Sequence, residues 1–110
     1  MTTFQLTTWD RVVISQIIGA IEGDLKTIRI AGKLLDAVEM KPEESAEVHL
    51  RVTDGMTLWD EPERLWNVEI TSKAAQLLSE RLQAHRGWQS AQHRQVDAML
   101  GRLGIAIAEE

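Results

Sequence analysis

The chain contains no cysteine and no tyrosine, a single phenylalanine and two prolines. Without cysteine there are no disulfides, no thiolate metal sites and no cysteine nucleophile, and a reduced, cytoplasmic setting fits best. Long apolar runs are missing too. The longest uninterrupted apolar piece near the N-terminus, Val12 to Ile14, falls far short of the ~20 residues that cross a bilayer. The opening MTTFQLTTWDR lacks a basic start and an unbroken apolar stretch, so no secretory signal and no membrane association are expected. Positive charge is in short supply: 12 Lys+Arg against 17 Asp+Glu give 12 − 17 = −5, with both signs interspersed. Phosphate backbones attract concentrated positive surface, so nucleic acid is a disfavoured partner.

What the chain does have is tryptophan, four of them, a residue enriched at binding surfaces as well as in cores. Its 110 residues suit one domain, 1–110, able to bury roughly two-thirds of its extended surface. The segment Val48 to Ile70 is the only one that reads as β structure. Val48, Leu50 and Val52 alternate with His49, Arg51 and Thr53, which puts an apolar face on one side of a strand and a wet face on the other. Asp54-Gly55 suits a two-residue turn with positive φ. Met56 to Trp59 is the expected return strand, Asp60-Glu61-Pro62-Glu63 a second turn, and Leu65 to Ile70 a third strand with Trp66, Val68 and Ile70 on one side. The expectation is a three-stranded antiparallel meander, with Phe4 to Leu6 as a further strand against the sheet edge.

Helical signals flank this segment. Thr7 or Thr8 caps a first helix running to about Ile21, with Asp10 in its first turn. Glu22-Gly23-Asp24 breaks the chain, and a second helix follows to about Met40, apolar along Leu25, Ile28, Ala31, Leu35 and Val38, widened by Ile30, Leu34 and Ala37. The two should fold back as a helical hairpin. Lys41-Pro42-Glu43-Glu44 reads as a stop and a new start, with one acidic turn leading into the meander. Thr71 or Ser72 caps a third long helix to about His85, and Ser90 a fourth to about Leu103, ended by Gly104. The fold class is therefore α+β: an N-terminal helical hairpin, a central meander and two C-terminal helices. Both helices of the hairpin are apolar over a wider arc than one buried stripe requires, and Ile105 to Ala108 form an apolar tail. Such excess suggests burial on two sides or a partner chain.

No catalytic, metal or cofactor site is expected. His85 and His93 flank Gly87-Trp88, but His49 lies far from them and no two histidines stand one helical turn apart as zinc sites require. Asp54, Asp60, Glu61, Glu63 and Glu69 cluster at turns and strand ends, without a nucleophile and orienting base. The serines lack elbow glycines, and no glycine loop follows a strand with the lysine that phosphate binding needs. Recognition by surface remains. Trp59 interrupts the alternation beside Leu58: either it faces outward with His49, Arg51 and Arg64 as an aromatic and basic patch, or it packs as satellite core under the Pro62 turn or against Phe4. Trp9 and Trp88, at helix boundaries, are placed to seal the ends of a core. A second candidate surface is the basic stripe Lys26, Arg29 and Lys33 on the second helix.

LTTWDRV at Leu6 to Val12, DLKTIRIAGKLLDAVEM with KPEE at Asp24 to Glu44, and the later LWD and LWNVEI resemble small proteins encoded by bacteriophages and prophages. The likeness carries no activity. It implies an accessory protein, in the host cytoplasm or on the virion, that works by contacting another protein or a copy of itself. The expected function is a non-enzymatic interaction module, homo-oligomeric through the wide apolar faces; a nucleic-acid-associated regulator using Lys26, Arg29 and Lys33 is the alternative.

Overall fold

The computed structural model describes residues 2–60 and 64–105. The chain opens with strand β1 (Thr2–Leu6) and then forms helices α1 (Thr8–Gly19), α2 (Leu25–Val38) and α3 (Pro42–Val48). Two short strands follow, β2 (Arg51–Thr53) and β3 (Met56–Leu58), then β4 (Trp66–Ile70), helix α4 (Ser72–Ala84), a 3-10 turn at Ser90–Gln92 and helix α5 (His93–Leu103). The class is α+β.

The helix starts follow from local side-chain chemistry. The Thr7 hydroxyl accepts from the Asp10 amide and the Asp10 carboxylate from the Thr7 amide, a reciprocal cap that satisfies two otherwise free donors. Asp24 and Thr71 cap α2 and α4 with a single bond each, their side chains accepting from the Thr27 and Ala74 amides. Pro42 occupies the first turn of α3, where its missing N–H costs nothing. Gly104 ends α5 with φ 71°, the left-handed conformation that a residue without Cβ adopts most cheaply.

The sheet differs from the meander expected. β4 pairs with β1, antiparallel, in the register Phe4 with Val68 and Leu6 with Trp66, while β2 and β3 pair only with each other among the described residues. There are thus two two-stranded sheets. The sheet edge on which β1 was expected to dock is β4, and β4 alternates as the sequence implied: Trp66, Val68 and Ile70 buried, Asn67 and Glu69 exposed. The first predicted strand is also shorter than its alternation suggested. Val48 closes α3, fully buried, and His49 ends that helix at φ 52°. A left-handed residue cannot sit in a regular strand, so pairing begins only at Arg51. The second predicted turn, residues 61–63, lies outside the described residues.

The core joins Leu6, Val68 and Ile70 of the β1–β4 pair to Ile14 and Ile18 of α1, Leu34 and Val38 of α2, Leu78 and Leu82 of α4, and Met99 of α5. The stripe expected on α2 is rotated. Ala31, Leu34 and Val38 are buried, whereas Leu25 and Ile28 stand 68% and 40% exposed, because the first turn of that helix packs against little. On α1 only Ile14 and Ile18 are the buried aliphatics; Val12, Val13 and Ile17 are half-covered. Among the described residues no helix is long and apolar enough to cross a membrane.

Candidate interaction surface

The N-terminal turn of α1 carries a buried polar joint. Asp10 has no exposed surface, and Arg102 of α5 grips it with both Nε and Nη2, at 2.7 and 2.8 Å. Arg11, 2% exposed, points the other way. Its Nε donates to the Val38 carbonyl and its Nη2 to the Glu39 carbonyl, at 2.9 and 2.8 Å, so that it occupies two acceptors left free where α2 ends. The same guanidinium meets both oxygens of Glu44 on α3, at 3.1 and 2.9 Å. That contact, with the Lys41 amide, holds the Glu44 carboxyl below its ordinary value. Arg11 and Arg64 both lie over the Trp66 ring, 5.3 and 4.1 Å from its centroid, and the indole N–H donates to the Thr8 hydroxyl at 2.9 Å. Every charge here has a partner, which describes a structural joint rather than a reactive centre. The sequence reading found only a helix cap at Thr7 to Arg11, since partners 33 and 92 residues away leave no periodic signal.

The β2–β3 hairpin is the contrasting feature. Asp54 and Gly55 turn it with φ 52° and 75°, as a two-residue turn demands. Its base is fastened: Leu50 and Trp59 pack against the core, the Asp60 amide donates to the Val48 carbonyl at 2.9 Å, and Arg51 pairs with Asp60 at 2.8 Å. Beyond that base it is an apolar arm in solvent. Val52 is 72% exposed, Met56 62% and Leu58 38%. Both outer edges of the arm are unpaired among the described residues, leaving backbone donors and acceptors free to bind another strand. Between the arm and α1 runs an open groove of about 360 Å³, lined by Val12, Ser15, Gln16, Met40, Leu50 and Val52. The Ser15 hydroxyl there is buried with no hydrogen-bond partner among the described residues.

Trp59 is half-buried and packed on the core, the satellite position rather than the outward one. His49 is the helix end of α3, its carbonyl accepting from Arg51. Arg51 and Arg64 are each neutralised, by Asp60 and by Glu47 at 2.8 Å. Arg51 thus turns to Asp60 at the base of the arm, and Arg64 to Glu47 of α3 and the Trp66 ring. Of the residues that matter more there, Val52 falls on the apolar face by alternation, Met56 and Leu58 read only as part of the return strand, and alternation cannot tell whether anything covers a face.

Lys26, Arg29 and Lys33 are all exposed and form no ion pair among the described residues. Among the described residues no three histidine, aspartate or glutamate side chains converge as a metal site. No family model, no curated protein and no solved structure matches the chain.

Proposed function

We propose that the chain is a non-enzymatic protein-interaction module, an accessory or assembly protein of the phage type, that associates with copies of itself in the cytoplasm through the β2–β3 arm. The observation that carries this reading is the exposure of Val52, Met56 and Leu58 on a strand pair whose outer edges are unpaired among the described residues. Soluble proteins normally blunt such edges with charge, proline or cover. Here the one cation of β2, Arg51, is turned to Asp60, so the edge keeps its adhesive character. Strand addition would supply main-chain hydrogen bonds, and the apolar side chains would supply the specificity. Size-exclusion chromatography with light scattering tests it: the expected result is concentration-dependent association in the micromolar range, reduced by Val52→Ser with Met56→Ser.

The second reading is a nucleic-acid-associated regulator acting through Lys26, Arg29 and Lys33. It draws support from their exposure, with no ion pair among the described residues, and from their helical spacing along α2. A binding titration at two salt concentrations tests it, because phosphate contacts weaken steeply with salt.

A further inference from the structure

The geometry of the hairpin fixes which of its backbone groups point outward. A two-residue turn closes on a hydrogen-bonded pair. Here that pair is Thr53 with Met56, followed by Val52 with Thr57 and Arg51 with Leu58. Hydrogen-bonded and non-hydrogen-bonded pairs alternate along an antiparallel ladder, so Val52 and Thr57 aim their amides and carbonyls at the outer edges while their neighbours bond inside. β2 thus offers the groups of Val52, and β3 those of Thr57. Alternation also sorts the side chains: Met56 and Leu58, 62% and 38% exposed, share one face and flank Thr57 on either side. The two edges are not equal. On β2 the neighbours of Val52 are Arg51 and Thr53, and a ladder there is cut short because the Leu50 amide already donates to the Ser45 carbonyl at 2.9 Å.

We infer that the arm pairs β3 with β3 of a second copy, antiparallel, about a two-fold axis through Thr57. The inference rests on the self-association reading and supplies its edge, symmetry and register. In that register the two Thr57 residues exchange both backbone bonds, and Met56 of each copy stands opposite Leu58 of the other. Those are non-hydrogen-bonded pairs, whose side chains approach more closely, so four exposed apolar side chains cover one another on one face. A two-fold through Val52 on β2 would instead set Arg51 against Thr53 and bring together only the two Val52 side chains. Charge agrees with β3. Asp54 forms no ion pair among the described residues, and the register brings it beside Asp60 of the other copy. Arg51 there gives Nη1 to Asp60 and to the His49 carbonyl, and its guanidinium has further donors for a second carboxylate. The product is a four-stranded sheet in place of two hairpins, each of a size that is marginal in water. Three residues of edge fall short of the ~1,200 Å² of a standard specific interface, so the pairing is readily reversible.

The test is sedimentation equilibrium on two proline variants, each acting on one edge. Thr57→Pro removes the outward amide of β3 and Val52→Pro that of β2, the edge position at which a strand tolerates proline. The two residues face each other in one pair, so each variant controls for the strain that the ring brings to the hairpin. Thr57→Pro should weaken association at least about tenfold, and Val52→Pro leave it within about threefold. A cross-link reads the register with Met56 and Leu58 intact. The chain has no cysteine, and Thr57→Cys places the only thiols of the dimer on residues whose Cα atoms stand about 5.5 Å apart, within the span of a disulfide. Under mild oxidation that dimer should form at least about tenfold faster than the Val52→Cys dimer, although Val52 is the more exposed position. Cross-linking that is equal or faster at position 52, or association that survives Thr57→Pro, overturns the inference and leaves the arm reading standing. A wild-type chain that stays monomeric at high micromolar concentration removes the arm reading, and this register with it.

Discussion

The two ends of α1 have opposite characters. At its start, Asp10 and Arg11 are buried and every charge meets a partner on α5, α2 or α3. Along its later turns, Val12, Ser15 and Gln16 open onto the groove beside the arm, and Ile17 and Ala20 onto an open hollow also lined by Arg81 and Arg86 of the α4 end. One helix thus anchors the fold at one end and offers surface at the other. A small domain gains by this separation, because residues left exposed for recognition add little to stability.

The comparison breaks most visibly at Arg11. Arg11→Met removes the donors to Val38, Glu39 and Glu44 and should cost about 3–5 kcal/mol in urea unfolding, the usual penalty for orphaning a buried ion-pair partner. A loss under about 1 kcal/mol contradicts the joint. Asp10→Ala comes next. It deletes half of the reciprocal cap and removes the buried carboxylate that accepts from both Nε and Nη2 of Arg102; about 2–3 kcal/mol is expected.

Acid sharpens the contrast further. Arg11 first, then the Lys41 amide, holds Glu44 below its ordinary value of 4.5. A carboxyl depressed on folding stabilises the protein above that value and loses its contribution as pH falls through the lower, folded one. Stability should therefore decline below about pH 4.5, and Glu44→Gln should flatten that limb when melting temperature is followed against pH. Asp24, lowered by the Thr27 amide it caps, titrates in the same sense, so flattening rather than abolition is the expected result. The smallest effect belongs to the exposed stripe. Changing Lys26, Arg29 and Lys33 to glutamine should leave stability within about 0.5 kcal/mol and act, if anywhere, only on salt-sensitive nucleic-acid binding.

Sequence made some of this visible and hid the rest for physical reasons. The caps at Thr7, Asp24 and Thr71, the stop at Gly104 and the alternation of β4 are local, each set within a few residues. The partner of β4 is not local: Leu6 and its partner Trp66 stand 60 residues apart, while β3 is adjacent in sequence, and proximity favoured the wrong neighbour. Val48, His49 and Leu50 alternate as a strand would, yet the helix launched at Pro42 runs through Val48 before His49 turns it. Among the candidate site residues, Arg51 and Arg64 were legible as cations but not as paired cations. The apolar tail expected over residues 105–108 begins with Ile105, half-buried against the core; residues 106–108 lie outside the described residues.

The separation of anchor from surface is tested most directly by sedimentation equilibrium at high micromolar concentration, run on the wild-type chain and on the Val52→Ser, Met56→Ser variant, with melting curves for both. The wild type should self-associate, and the variant should be at least about tenfold weaker in association with its melting temperature unchanged. A wild-type chain that stays monomeric, or a variant that associates equally well, contradicts the account.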